Sequence, residues 1–352
     1  MKKALKIIGR IILVLLILLA IAVLICFIHK TSARKKDREL LEKDGFCNLV
    51  SAGDFQMNVN IFGNGKHKII AMPGSGDAEF TVDMKLLSEH LRGDVSLVAV
   101  TRPGYGLCEE TDHEITAEYI VESTRTALKN AGISAPYILM PHSLSGIYGT
   151  YWENTHPDEI EGVIFLDSIN EASGRIPDEE LAEMDLPFIT KLLNAAGVLR
   201  TIEDITGAQN DDSEEKYQAD YAAFDGVNPT GFSPSFRSEI LNYNHNSDTA
   251  WASIKANSIP KIYISTDYAS LEDAKEYVRW SNDGTPDDAK AQERYDDQQA
   301  PEQIEYRQKR AEYITKLGNC KEVNIPGSHF IYYQKPEEVA KAILQFIDDS
   351  VK

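Results

Sequence analysis

Leu139-Met140-Pro141-His142-Ser143-Leu144-Ser145-Gly146 is the stretch on which the reading of this chain turns. An apolar run, Tyr137–Met140, enters it as a strand, and a helical pattern, Gly146–Asn154, leaves it. A serine on such a strand–turn–helix sits in a strained backbone with its Oγ exposed, the geometry of a nucleophile elbow. The turn is tight, so the residues two before and two after the serine must be small. Here they are Pro141 and Ser145, where two glycines are usual. The plain alternative is a serine capping the start of a helix. Ser145 competes as nucleophile, but that register puts bulky Ile147 at the crowded position, so Ser143 is preferred.

Working outward, an acyl-transfer serine needs backbone N–H groups aimed at the developing oxyanion. Leu144, next to the serine and at a helix N-terminus, offers one. The loop Met72-Pro73-Gly74-Ser75-Gly76, after an earlier strand, offers the second through Ser75. Its glycines permit close backbone approach. A dinucleotide loop fails here, since Glu79 stands where the third glycine belongs. The general base is expected at His329, in Pro326-Gly327-Ser328-His329-Phe330 between the last strand and the last helix. Open α/β sheets carry their sites at the carboxyl ends of strands. His142 adjoins the serine, but the elbow turns it away, so it reads as packing. Two acids stand at strand ends, Asp167 after Gly162–Leu166 and Asp267 after Lys261–Ser265; Asp267 is preferred, with Asp167 left open.

After a polar link at about 30–44, the rest of the body alternates short apolar strands with helical patterns. Met57–Ile61 and Lys68–Met72, joined across Gly63-Asn64-Gly65, predict a hairpin. Phe80–Leu91 is helical, Val95–Val100 a strand, Thr116–Ala131 a helix capped by Thr116, Val323–Ile325 a strand and Pro336–Ile347 a closing helix. This alternation predicts an α/β fold with a mostly parallel sheet covered on both faces. About 90 residues between Asp167 and Pro260, with acid runs such as Asp211-Asp212-Ser213-Glu214-Glu215, read as a helical lid. Leu271–Leu317 reads as a second, charged insertion forming a surface helix pair. The expected division is an anchor at 1–38, a core at 39–170 and 259–352, and a lid at 171–258.

The N-terminus supplies the anchor. Ile11 to Ile28 is 18 apolar residues without interruption, close to the ~20 that a membrane-crossing helix needs. A cleaved signal peptide would carry a shorter apolar region and a clear small-x-small site. Here a basic flank follows, with Lys30, Arg34, Lys35, Lys36 and Arg38, so an uncleaved single-pass anchor is preferred. Lys2, Lys3, Lys6 and Arg10 on the other side nearly balance the positive-inside signal. A short N-terminal tail in the cytoplasm would put the body on the outer side of the cell membrane. The chain carries a net charge of −19, although residues 1–38 hold nine Lys/Arg and one acid. A body this acidic repels phosphate backbones and excludes nucleic acid as a partner. Four cysteines in no ligand spacing suggest neither a disulfide framework nor a zinc site.

From about residue 45 to 350 the chain resembles the serine hydrolase branch of the α/β-hydrolase fold family. Pro73-Gly74-Ser75 stands where His-Gly-x is usual, Arg102-Pro103-Gly104-Tyr105-Gly106-Leu107 is similar to the family's glycine turn after the next strand, Pro141-His142-Ser143-Leu144-Ser145-Gly146 to its elbow, and Gly327-Ser328-His329-Phe330 to its histidine loop. The order Ser…Asp…His agrees. The resemblance implies a central parallel sheet with an inserted helical lid. It implies ester or amide cleavage through an acyl-enzyme on Ser143, with His329 as base, Asp267 orienting it, and the Ser75 and Leu144 amides as oxyanion hole. No metal or organic cofactor is called for, and the expected partners are a small acyl substrate and the membrane. A serine argues against dehalogenase and epoxide-hydrolase chemistry, which uses aspartate at that position. A small-peptide aminopeptidase of the same fold, or a membrane-tethered binding protein without turnover, are the alternatives.

Overall fold

The computed structural model describes residues 2–207 and 217–351, so the Asp211–Glu215 acid run lies outside the described residues. Eight strands form one sheet, β1 (Leu49–Ser51), β2 (Gln56–Phe62), β3 (His67–Met72), β4 (Val95–Val100), β5 (Tyr137–Pro141), β6 (Ile160–Leu166), β7 (Asn257–Ser265) and β8 (Gly318–Asn324). Their order is β1-β2-β4-β3-β5-β6-β7-β8. β1–β2 and β2–β4 are antiparallel, and every pairing from β4 to β8 is parallel. The sheet is the mostly parallel one that the sequence predicts.

The predicted hairpin is not formed. β2 pairs with β4, with Val59 opposite Val100 and Phe62 opposite Leu97. β3 lies one place further in, between β4 and β5. Composition explains this: Ile69, Ile70 and Ala71 are fully buried, and a strand apolar on both faces belongs where both faces are covered. β2, with Asn58 and Asn60 among its apolar residues, sits nearer the edge.

Helices cover both faces. α1 (Lys2–Lys43) precedes the sheet, α2 (Phe80–Ser88) follows β3, α3 (Ala117–Asn130) follows β4 and α4 (Ser145–Thr155) follows β5. Thr116 caps α3 as expected, its side chain accepting from the Tyr119 N–H at 3.1 Å. Between β6 and β7 come α5 (Asp178–Glu183), α6 (Phe188–Ala195), α7 (Val198–Thr206), α8 (Gln218–Val227), α9 (Pro234–Leu241) and α10 (Tyr243–Ser253). Between β7 and β8 are α11 (Leu271–Trp280), α12 (Asp288–Gln298) and α13 (Pro301–Lys316), three helices rather than the predicted pair, because Pro301 opens a new helix. Nor is this region only a solvated face, since Arg310, Tyr313 and Ile314 of α13 are buried. α14 (Ile331–Gln334) and α15 (Pro336–Ser350) close the chain.

One core joins α3, α4, α10 and α13 to the sheet through Ile120, Ile147, Trp152, Ala250 and Tyr313. The other packs α2, α14 and α15 on the opposite face through Phe80, Ile331, Val339 and Ile343. α1 also departs from expectation, because the polar stretch after the apolar run is not a link. The helix continues without a break to Lys43, supported by the i,i+4 pairs Lys35–Glu39 and Arg38–Glu42. Leu41 then buries completely in a cluster with Phe46, Val82 and Phe224, fastening the helix to the body.

Candidate active site

Ser143 stands just beyond β5 with φ +50°, a left-handed conformation that costs a non-glycine residue on the order of 1 kcal/mol or more. The turn is held from three sides. The Ser143 N–H donates to the Leu166 carbonyl at 3.3 Å, and its own carbonyl accepts from Gly146 at 2.9 Å and from Ile169 at 2.8 Å. Pro141 is accommodated from the helix side, since a Cβ on Gly149 would lie 2.7 Å from the Pro141 Cγ. The glycine absent from the strand is thus replaced by one on α4. Ser145 is fully buried, donates to the Pro73 carbonyl at 2.5 Å and accepts from Arg102 at 2.7 Å. Its hydroxyl is committed to structure, which leaves Ser143 as the serine open to a ligand.

The loop after β3 approaches the serine closely. A Cβ on Gly74 would lie 3.2 Å from the Ser143 Cβ and 3.0 Å from the His142 Nδ1, so a side chain there would crowd the turn. Arg102 grips this loop with a buried guanidinium, donating to the Pro73 carbonyl at 2.8 Å and the Gly74 carbonyl at 2.5 Å. Tyr105 takes the Gly76 N–H at 3.0 Å. Among the described residues, the N–H groups of Ser75, between these fixed points, and of Leu144 have no protein acceptor. Behind the loop, Glu239 of α9 pairs with Arg102 at 2.7 Å and accepts from the Tyr105 and Tyr148 hydroxyls. Burial pushes both phenols up, keeping them protonated as donors to that carboxylate. Arg102 and Tyr105 lie in the glycine turn singled out from the sequence, yet nothing in its pattern showed that they hold the loop after β3.

His329 occupies the loop between β8 and α14 and is exposed. His142 places it: this ring is fully buried, lies 4.6 Å from the His329 ring between centroids, and its Nε2 donates to the His329 carbonyl at 3.0 Å. Burial and the neighbouring His329 hold the His142 pKa well below the usual value, so it acts here as a neutral donor. The Nδ1 of His329 meets Asp167 Oδ2 at 2.6 Å, and Thr266 Oγ1 donates to the same oxygen at 3.0 Å. Asp167 follows β6 directly, with φ +40° and its N–H on the Ile264 carbonyl at 2.8 Å.

The preferred acid, Asp267, is not brought to the histidine. Its carboxylate pairs with Arg310 of α13, which also meets Glu322 at 2.8 Å. A guanidinium that is 3% exposed demands counter-charges, and Asp267 and Glu322 are the ones α13 finds. Among the described residues no group of three or more His, Cys, Asp or Glu could hold a metal ion.

No family model matches the chain. It is 35% identical over 165 residues to the uncharacterized protein YbdG of Bacillus subtilis (strain 168), a match covering 47% of this chain and 49% of the relative. The match therefore spans about half the length of that protein. The haloalkane dehalogenase DatA from Agrobacterium tumefaciens C58 superposes with a TM-score of 0.54 at 14% identity, over 86% of this chain and 96% of that one. The enol-lactonase from Burkholderia xenovorans LB400 gives 0.53 at 15% identity, over 86% and 100%. The chain has the α/β-hydrolase fold. Together with the eight-stranded order, these likenesses establish the architecture that the motifs imply, and at such identities the architecture alone. One helix among the described residues, α1, is long and apolar enough to cross a membrane.

Proposed function

We propose that the protein is a membrane-anchored serine hydrolase that cleaves an ester, or less readily an amide, through an acyl-enzyme on Ser143. The observation that carries this reading is a left-handed Ser143 beside Gly74, together with a His329 that lies against His142, the residue before the serine, and whose Nδ1 is held by Asp167 at 2.6 Å. Asp167 thus replaces Asp267 as the orienting acid. In the reaction the Ser143 Oγ attacks the substrate carbonyl carbon while His329 Nε2 takes the hydroxyl proton. Asp167 fixes the tautomer with hydrogen on Nδ1 and stabilises the imidazolium. The carbonyl oxygen, now negative, accepts from the Ser75 and Leu144 N–H groups. Collapse breaks the ester bond, the leaving oxygen takes the proton from His329, and water then repeats the sequence on the acyl group. The helices between β6 and β7 act as the lid over this edge. The enol-lactonase among the similar structures favours an ester-type carbonyl as substrate. α1 anchors the protein as a single pass in the cell membrane, with the acidic body on the outer side.

A fluorophosphonate probe on the full chain in membranes tests the reading without a chosen substrate. The expected result is one adduct on Ser143, lost in Ser143→Ala and His329→Ala. Absence of labelling in a folded chain would favour the binding-protein alternative, and an adduct on Ser145 would place the elbow two residues later. Ester and aminopeptide substrates then separate the two enzyme readings.

A further inference from the structure

The insertion carries an apolar surface that the core does not use. On α6, Phe188, Ile189 and Leu192 are exposed, Phe188 by 79%; on α7, Ile202 and Ile205 are exposed, Ile205 by 78%. These residues share one face of each helix. At 100° per residue, Phe188, Ile189 and Leu192 lie on the side of α6 opposite Asn194, and Ile202 and Ile205 on the side of α7 opposite Arg200 and Asp204. The opposite, polar sides are the ones that grip α1. Lys30 donates to the Asn194 carbonyl at 2.5 Å, His29 meets Asp204 at 2.7 Å, and Arg200 pairs with Asp37 at 2.8 Å.

Where this grip falls along α1 decides what covers the apolar side. Gly197, between α6 and α7, meets α1 so closely that a Cβ on it would lie 2.4 Å from the Cys26 carbonyl and 2.9 Å from the Lys30 Cβ. Cys26 is in the last turn of the apolar run and Lys30 in the first charged turn after it. The α6–α7 connection therefore stands level with the end of the apolar stretch, where a spanning helix leaves hydrocarbon. We infer that α6 and α7 form a membrane-docking surface, with Phe188, Ile189, Leu192, Ile202 and Ile205 entering the bilayer leaflet from which α1 emerges. α6 and α7 thus meet α1 where its apolar run ends, and α1 is fastened at both ends of the contact, by Gly197 below and by Leu41 in the body core above. Two exposed lysines, Lys35 and Lys36, stand just above this level, where anionic headgroups attract basic side chains. An amphipathic helix buried ~5–10 Å at the headgroup–acyl boundary is the expected form of such a contact. It would hold the insertion, and with it Glu239 behind the oxyanion loop, against the membrane.

The inference rests on α1 spanning a membrane, and one experiment separates the two. The full chain is reconstituted in phosphatidylcholine vesicles carrying acyl-chain-brominated lipid, with Phe188→Trp, Ile205→Trp, Leu16→Trp and Lys341→Trp compared with the parent emission. Leu16 reports the span, and Lys341 lies on α15 beside His90 and Asp348, at the sheet edge where the parallel strands begin. Loss of emission at 188 and 205 comparable to that at 16, with none at 341, is the expected result. Quenching at 16 with none at 188 and 205 would overturn the docking surface while leaving the anchor. If chemical crosslinking then captures a homodimer through those positions, a second copy is the occupant. No quenching at 16 would remove the anchor and the docking surface together.

Discussion

Asp167 and Asp267 follow neighbouring parallel strands, β6 and β7, at the same edge of the sheet, and they do opposite things. Asp167 leaves its strand at once in a left-handed conformation and meets His329. Asp267 leaves two residues later and is taken by Arg310, a guanidinium that α13 has buried. Position at a strand end nominates an acid; how the chain turns as it leaves the strand decides which one reaches the histidine, and the cation from α13 takes the other. One aspartate thus meets a histidine beside the serine turn and the other neutralises a buried guanidinium.

The largest effect on this comparison should come from Asp167→Asn, which keeps the shape and favours the wrong histidine tautomer. Fluorophosphonate labelling of Ser143 should slow by roughly 10⁴-fold. Asp267→Asn should leave it within a few-fold, and a loss as large as that of Asp167→Asn would reinstate Asp267 as the orienting acid. Next, Arg310→Met frees Asp267 without moving its backbone. In the Asp167→Asn background this change should restore no labelling, because the strand end and not the ion pair keeps Asp267 from His329; recovery of the rate would refute that account. The stability cost of Asp267→Asn comes third, about 1–3 kcal/mol in urea unfolding, as Glu322 still serves Arg310.

An effect of similar size concerns a third ion pair, Glu153 with Lys261 of β7, both side chains fully buried at 3.4 Å. Burial pushes the Glu153 carboxyl up to about 7, against an ordinary 4.5, despite the lysine. The native state therefore holds a proton that the unfolded chain has released, and stability falls as pH rises from about 4.5 to about 7. Glu153→Gln should flatten that decline by about 1–3 kcal/mol when unfolding is compared at the two ends of the window. An unchanged slope would mean that Glu153 is ionised throughout.

Much of this was legible in the residues. Small neighbours around Ser143, a strand before it and a helix after it point to the elbow, because that tight turn tolerates only small residues at those positions. The Thr116 cap, the apolar run of α1 and the His329 loop are equally local and were readable for the same reason. The failures share a different cause. The β2–β3 hairpin was inferred from proximity in sequence, whereas pairing follows which strand can be buried on both faces. The stretch at about 30–44 reads as a polar link because Leu41 shows its role only where Val82 and Phe224 meet it.

Sequence alone thus determined the strand–helix alternation, the serine turn, the histidine loop and the membrane-length helix, since each depends on residues within a few positions of one another. Tertiary structure decided which aspartate meets His329, that Ser145 is bound up with Arg102, and that α6 and α7 meet α1 where its apolar run ends. Those outcomes join groups 43 to 171 residues apart in the chain, and only the packing of buried charge and apolar surface brings them together.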